Sequence, residues 1–387
     1  MTDHPVQKCV MIIAGEVSGD HHGAKLVRAM RAKDPDLFFC GIGSRDMRAA
    51  GVRILVDSTD VAVVGITEIL ARLPHILGAF ATTRRVLKSL KPDLLILIDF
   101  PGFNMHVASI AKRSNIPVLY YISPQLWAWR PGRVKKLKQL VDHMAVILPF
   151  EEAFYREHAI PVTFVGHPLL DEMQATGPAA APSPNKPIIG LLPGSRANEI
   201  RRILPVQLAA ARLLRAENPD LHFILSVAPS INRTEVELQV EQFGCADFVE
   251  LSADRVENIF GRCTAAIAAS GTVTLEAALN ETPLVIVYKV SPFSNLIGRL
   301  LIHVEFIGLA NLIAGEQIVP ELVQDEASPE NIARHIQQML DDPDGVQRIR
   351  AKLKDMKSKL GGAGASRTTA EIAMRLLASD SQTTERK

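Results

Sequence analysis

Excess charge of one sign is missing from this sequence: 43 Lys and Arg stand against 42 Asp and Glu, a formal net charge of +1 over 387 residues. Nucleic-acid binding calls for a strongly basic face, so no nucleic-acid partner is expected. Cysteine is scarce as well. Cys9, Cys40, Cys245 and Cys263 form no Cys-x-x-Cys pair and stand apart from the histidines, which argues against a disulfide framework and a zinc site. No apolar run approaches the roughly 18 residues of a spanning helix, and Met1 to Lys8 has no signal-peptide pattern. A cytoplasmic chain is the expectation. The Gly-x-Gly-x-x-Gly fingerprint is absent from both halves, which disfavours a nicotinamide or flavin dinucleotide; no cofactor is expected. What remains is an ordinary globular composition, 47% hydrophobic and 22% charged, long enough for two full cores.

In chain order, Cys9 to Ala14 reads as a buried strand entering the turn Gly15-Glu16-Val17-Ser18-Gly19-Asp20, and Leu26, Val27 and Met30 mark the helix that follows. Strands are expected near 37–40, 94–98, 118–122 and 145–148, with a helix near 76–90. Strands that alternate with helices, each a near-continuous apolar run, indicate a parallel sheet covered on both faces. Gln174 to Pro187 is proline-rich and aperiodic, a linker between domains at 1–173 and 188–360. The alternation then restarts with strands at 188–192 and 223–227 around Pro193-Gly194-Ser195-Arg196. A closing helix at 366–379 either packs back on the first domain or hangs loose.

The second domain is organised around residues 265–287. Ala265 to Ala269 is a strand of small apolar residues, and Ser270-Gly271-Thr272 turns it into a helix. The first turn of such a helix presents unpaired N–H groups and a positive dipole end, a place for phosphate that Gly271 lets approach closely. Glu276, one turn on, leans back toward the mouth and suits a sugar diol. The plain alternative is a capped structural helix, but Ser270 and Thr272 lack the Glu or Gln three residues later that a capping box needs. Arg196 opens another helix, where a cation is disfavoured unless an anion accompanies it. The triplets Asp34-Pro35-Asp36 and Asp342-Pro343-Asp344 read as turns rather than as metal ligands.

Five blocks in order carry a resemblance: Ala14-Gly15-Glu16-Val17-Ser18-Gly19-Asp20, Ser123-Pro124-Gln125-Leu126-Trp127-Ala128-Trp129-Arg130, Leu192-Pro193-Gly194-Ser195-Arg196, Ala269-Ser270-Gly271-Thr272 with Glu276, and Asn311-Leu312-Ile313-Ala314-Gly315. Across nearly its whole length the chain resembles the lipid A disaccharide synthases. The likeness implies an α/β chain of GT-B architecture, two Rossmann-like parallel-sheet domains facing a cleft. It further implies an inverting transferase, peripheral on the inner membrane, that joins UDP-2,3-diacylglucosamine to 2,3-diacylglucosamine 1-phosphate. The products are lipid A disaccharide 1-phosphate and UDP. A UDP-sugar transferase or epimerase with a soluble substrate is the alternative, and a non-catalytic UDP-sugar binder is a third class. Homo-oligomerisation is left open.

On that likeness Arg196 and the Ser270-Gly271-Thr272 turn hold the departing diphosphate, with no metal needed. Asn311 is a ribose or interdomain contact, or else a turn cap. Glu16, Ser18 and Asp20 face the cleft, with Ser18 placed to contact sugar or phosphate, unless Ser18 or Asp20 serves as a helix cap. Asp99, at the end of the strand Leu94 to Ile98, is the candidate general base, because burial at a sheet edge raises a carboxylate toward a useful range; the alternative is a turn bond within Asp-Phe-Pro-Gly. Trp127, Trp129 and the run Arg133, Lys135, Lys136, Lys138 are either core and solvated face or an acceptor-phosphate site. Residues 61–80 are expected to meet lipid through Ile66, Ile69, Leu70, Leu73, Ile76, Leu77 and Phe80, with Pro74 splitting them into two short helices and Arg72 and Arg84 at head-group level.

Overall fold

The computed structural model describes residues 7–61, 66–129, 131–176, 187–290 and 305–384; side chains at 66–73, 128, 129, 131, 174–176 and 380–384 lie outside the description. The chain divides into two compact units, one of Met1–Gln174 with Leu360–Lys387, the other of Ala175–Lys359.

The first unit is built on seven strands, β1 Cys9–Ala14, β2 Phe38–Gly43, β3 Arg53–Asp57, β4 Leu94–Ile98, β5 Val118–Tyr121, β6 His143–Val146 and β7 Val162–Phe164. They pair in parallel in the order β3-β2-β1-β4-β5-β6-β7. Helices cover both faces, and β1 and β4 are completely buried because each face has its own apolar cluster. The helix Ala365–Thr384 belongs to this unit: Ala370, Ala373 and Leu377 join the cluster that holds Val10, Ile12 and Leu26, and the Gly364 N–H is bonded to the Asp171 carboxylate.

The second unit has six strands, β8 Ile188–Leu192, β9 His222–Ser226, β10 Val249–Ser252, β11 Ala265–Ala269, β12 Leu284–Tyr288 and β13 Glu321–Val323, parallel in the order β10-β9-β8-β11-β12-β13. In both sheets the chain first winds one way and then reverses. The reversals fall between β1 and β4 in one unit and between β8 and β11 in the other, where a doubly wound sheet opens a crevice beyond its carboxyl ends.

Four local readings are corrected. Pro74 does not split its segment: one helix runs Ile66–Leu90 through it, since a proline removes one backbone bond and the later turns, with Ala79, Thr83 and Leu87 buried, hold the helix in place. The strands β3, β7, β10, β12 and β13 are additional to those expected. Asp20, expected at the cleft or as a helix cap, is instead buried within the helix Val17–Arg31, and its carboxylate accepts the N–H groups of Ser44, Asp46 and Met47 at the start of the helix Arg45–Ala49. Asp34 accepts the Asp36 N–H, so the first aspartate triplet is a turn; in the second, Asp342 accepts the Gly345 N–H and Pro343 and Asp344 open the helix Pro343–Lys359, a helix start rather than a turn. All four cysteines are buried free thiols. Among the described residues no helix is long and apolar enough to cross a membrane.

Candidate active site

In the second unit, β8 ends in the turn that carries Arg196 and β11 ends in Ser270-Gly271. Ala268 is in register with Leu192, so the two turns lie side by side. They enclose a cavity of about 360 Å³ lined by Ser195, Arg196, Ser270, Gly271, Thr272 and Glu276. Five residues expected to contact the nucleotide thus share one cavity. Gly271 is the N-cap of the helix Thr272–Leu279, which receives no side-chain capping bond; its first turn opens on the cavity with the positive end of its dipole. A Cβ on Gly271 would meet no atom of the described residues within 4 Å.

Arg196 has an anion beside it already. The Glu199 carboxylate accepts the N–H of Ser195 at 2.9 Å and of Arg196 at 3.3 Å, and the Arg196 guanidinium at 3.4 Å. A cation at this helix start is therefore balanced within the protein, and the exposed pair is weak enough for a ligand to displace. Asn311 does not line the cavity. It is fully buried, its Nδ2 donates to Val319 O and Glu321 Oε1, and its Oδ1 accepts the N–H groups of Ile318 and Val319. Glu321 in turn accepts the Ile307 N–H, and Ile307 O accepts the Ser270 hydroxyl at 3.3 Å. Among the described residues, that chain of bonds links Asn311 to the cavity.

In the first unit, β1 and β4 are adjacent with Ala14 opposite Ile98, which sets Glu16 and Asp99 at neighbouring strand ends. Asp99 and Phe100 both take left-handed backbone, φ 44° and 49°, at a cost on the order of 1–3 kcal/mol each for residues other than glycine. The Phe100 ring lies over Gly15, where a Cβ would come within 2.3 Å of it, and stacks on Phe103 at 5.3 Å. Glycine at 15 is thus required by close approach. Burial, and second the charge of Glu16, push the Asp99 carboxyl from 3.8 up to about 6. A bond from the Phe100 backbone N–H to the carboxylate opposes that rise, so the carboxyl makes a turn bond as well; the backbone makes the others, with Asp99 N–H donating to Ile122 O and Asp99 O accepting from Asn104 and Tyr120. Glu16 is the N-cap residue of the helix Val17–Arg31 yet makes no side-chain capping bond, and Ser18 is exposed beside Val17, itself 79% exposed.

Sequence reading missed a buried carboxyl in the same unit. Glu151 is 1% exposed, and burial pushes it up to about 7. It accepts the Leu148 N–H and the Trp127 indole N–H at 3.1 Å, while the Trp127 ring meets Phe150 edge-on at 4.9 Å. Trp127 is therefore anchored in the unit; the side chains of Trp129 and Arg130 lie outside the description. Arg133, Lys135, Lys136 and Lys138 are exposed, with Val134, Leu137 and Leu140 buried beneath them, a solvated face of the helix Val134–Leu140. A sequence signal for Glu151 existed only in its spacing to Leu148, as the third residue of a helix.

A family model described as lipid-A-disaccharide synthetase matches residues 10–375. The lipid-A-disaccharide synthase of Trichlorobacter lovleyi is 48% identical over 376 residues, 96% of this chain and 98% of its own. That of Coxiella burnetii is 40% identical over 381 residues, 96% and 99% of the two chains. Among solved structures, the UDP-GlcNAc 2-epimerase from Neisseria meningitidis bound to UDP-GlcNAc has a TM-score of 0.64 at 12% identity, covering 95% of this chain and 100% of that one. The calicheamicin glycosyltransferase CalG4 has 0.59 at 15%, covering 96% and 99%. At such identities these two carry the fold alone, which is the GT-B fold of glycosyltransferases and epimerases. Matched over nearly its full length by the family model and by relatives at 40% identity and above, the chain belongs to the lipid-A-disaccharide synthase family of hexosyltransferases.

Proposed function

We propose that this chain transfers 2,3-diacylglucosamine from UDP to the primary hydroxyl of 2,3-diacylglucosamine 1-phosphate in one inverting displacement. The observation that carries the reading is the convergence of Arg196, the Ser270-Gly271-Thr272 turn and Glu276 on one cavity at a topological switch point. Arg196 and the uncapped helix start meet the charge that builds on the UDP oxygen as the anomeric C–O bond breaks. Glu276 accepts from the ribose diol. Asp99 takes the proton of the attacking hydroxyl; a carboxyl raised to about 6 is ionised at neutral pH yet a better proton acceptor than an ordinary one. An α-linked donor and a β-linked product require one inversion, so no covalent enzyme intermediate is needed. The solved neighbour bound to UDP-GlcNAc supports a UDP-sugar as the donor class.

Peripheral membrane binding belongs to the same reading. Leu77 is 59% exposed on the helix Ile66–Leu90, and Leu77, Phe80, Arg84 and Lys88 follow one another at helical spacing. Phe80, Arg84 and Lys88 line a groove of about 560 Å³ with His106, Ile110 and Arg113. A stripe that passes from apolar to cationic suits acyl chains and anionic head groups in turn. The test is incubation of the purified chain with both acylated substrates and with unacylated UDP-N-acetylglucosamine, followed by mass spectrometry. A disaccharide phosphate and UDP from the acylated pair support the proposal; an epimer of the soluble sugar, with no disaccharide, contradicts it.

A further inference from the structure

Two buried donors outside the rim residues converge on the main chain of Asp99. Asn104 Nδ2 donates to the Asp99 carbonyl at 2.7 Å and to the Ile98 carbonyl at 3.2 Å. The Tyr120 hydroxyl donates to the same Asp99 carbonyl at 2.6 Å, from a strand position opposite Leu97. Neither side chain has any exposure. Asn104 also fixes the turn through its own N–H, which donates to the Phe100 carbonyl at 3.0 Å.

Packing does not account for these two polar groups. Asn104 sits among Phe103, Met105 and Val107 on the buried side of the helix Pro101–Arg113, and its Oδ1 is buried with no hydrogen-bond partner among the described residues. An orphaned acceptor in an apolar layer is unfavourable, and an aliphatic residue would avoid it. What the carboxamide contributes is its two donated bonds. Tyr120 is likewise a permanent donor, because burial, with the Asp99 charge next, holds its phenol well above its ordinary range. Rotating the Asp99–Phe100 peptide out of its left-handed conformation would turn the carbonyl away from both donors at once.

We propose that Asn104 and Tyr120 are positioning residues: a two-donor clamp on the Asp99 carbonyl that holds the strained Asp99–Phe100 turn and so fixes the direction of the Asp99 carboxylate beside Glu16. The clamp rests on the assignment of Asp99 as general base. Productive proton transfer needs the base held to within a fraction of an ångström, and a misplacement of about 1 Å lowers rate on the order of 10²-fold.

The test uses Tyr120→Phe, which removes only the hydroxyl, and Asn104→Ala, each in the full chain and each also combined with Asp99→Asn. Readouts are kcat, KM for the UDP donor, melting temperature, and the acid limb of kcat/KM against pH, where Glu16 is the other carboxylate facing Asp99. Expected are a kcat lower by roughly 10–100-fold, a donor KM within about twofold, an acid limb moved below about 6 as a loosened carboxylate gains water, and no further loss in the Asp99→Asn background. A lower melting temperature with kcat per folded molecule and acid limb unchanged would overturn the clamp while leaving the base in place. An equal loss of rate with and without Asp99→Asn would overturn it too, since the pair would then serve something else. If Asp99→Asn alone keeps wild-type turnover, the base assignment has failed and the clamp fails with it.

Discussion

Replacing Asp99 with Asn should make the protein slower and, at neutral pH, more stable. The native carboxyl titrates at about 6 and the unfolded one near 3.8. Between those values the native state binds more protons than the unfolded chain, so stability falls as pH rises through this window. Above about pH 6 the loss is complete. At 1.36 kcal/mol per pH unit it amounts to about 3 kcal/mol, an upper figure because the carboxyl is only half-buried. Asn carries no charge, keeps the shape, and tolerates left-handed backbone at φ 44°. The variant should therefore melt higher than wild type at pH 8, by roughly 5–10 °C for a unit of this size, with the difference gone by pH 3.5. Turnover should drop on the order of 10²–10⁴-fold with UDP affinity almost intact. The assays are thermal melts at both pH values and turnover at saturating substrates. Retention of more than about a tenth of wild-type turnover, or destabilisation at pH 8, would refute the reasoning.

Other substitutions probe the remaining parts. Arg196→Ala should weaken UDP by about 1.5–3 kcal/mol by calorimetry, and Glu276→Ala should weaken UDP but leave inorganic diphosphate nearly unaffected; equal UDP affinity in wild type and Arg196→Ala removes the phosphate role. Glu16→Gln takes away the charge that helps raise Asp99, so the acid limb of kcat/KM should move down, and an unmoved limb means that Glu16 does not act on the base. Burial depresses His167 to about 3, so unfolding at pH 5 should take up about one proton fewer in His167→Gln than in wild type, measured by calorimetry in two buffers of different ionisation enthalpy. Leu77→Ser with Arg84→Glu should release the protein from anionic phospholipid vesicles with little change in melting temperature, since both residues are exposed; undiminished vesicle binding contradicts the membrane face.

The central strands were legible because burial on both faces leaves a continuous apolar run, as in Leu94 to Ile98 or Ala265 to Ala269. Edge strands were not: β3 is half-exposed and begins with Arg53, and β13 has three residues, too few to show a period. Asp99, Arg196 and Ser270 to Thr272 could be picked out since each directly follows such a run, and strand ends are where a parallel sheet collects ligands. Their supports could not. Tyr120 meets Asp99 across 21 residues of sequence, and Trp127 meets Glu151 across 24, contacts set by strand order rather than by spacing. Glu199 lies three residues from Arg196, but arginine is an uncommon helix cap, so the pair did not read as one.

The configuration of the new glycosidic bond tests the account most directly. Proton NMR of the disaccharide made by the purified chain from an α-linked UDP-2,3-diacylglucosamine should show the large anomeric coupling of a β linkage, as a single displacement assisted by Asp99 requires. An α-linked product would contradict that mechanism, since retention needs a second displacement or a front-face route that a single general base does not provide.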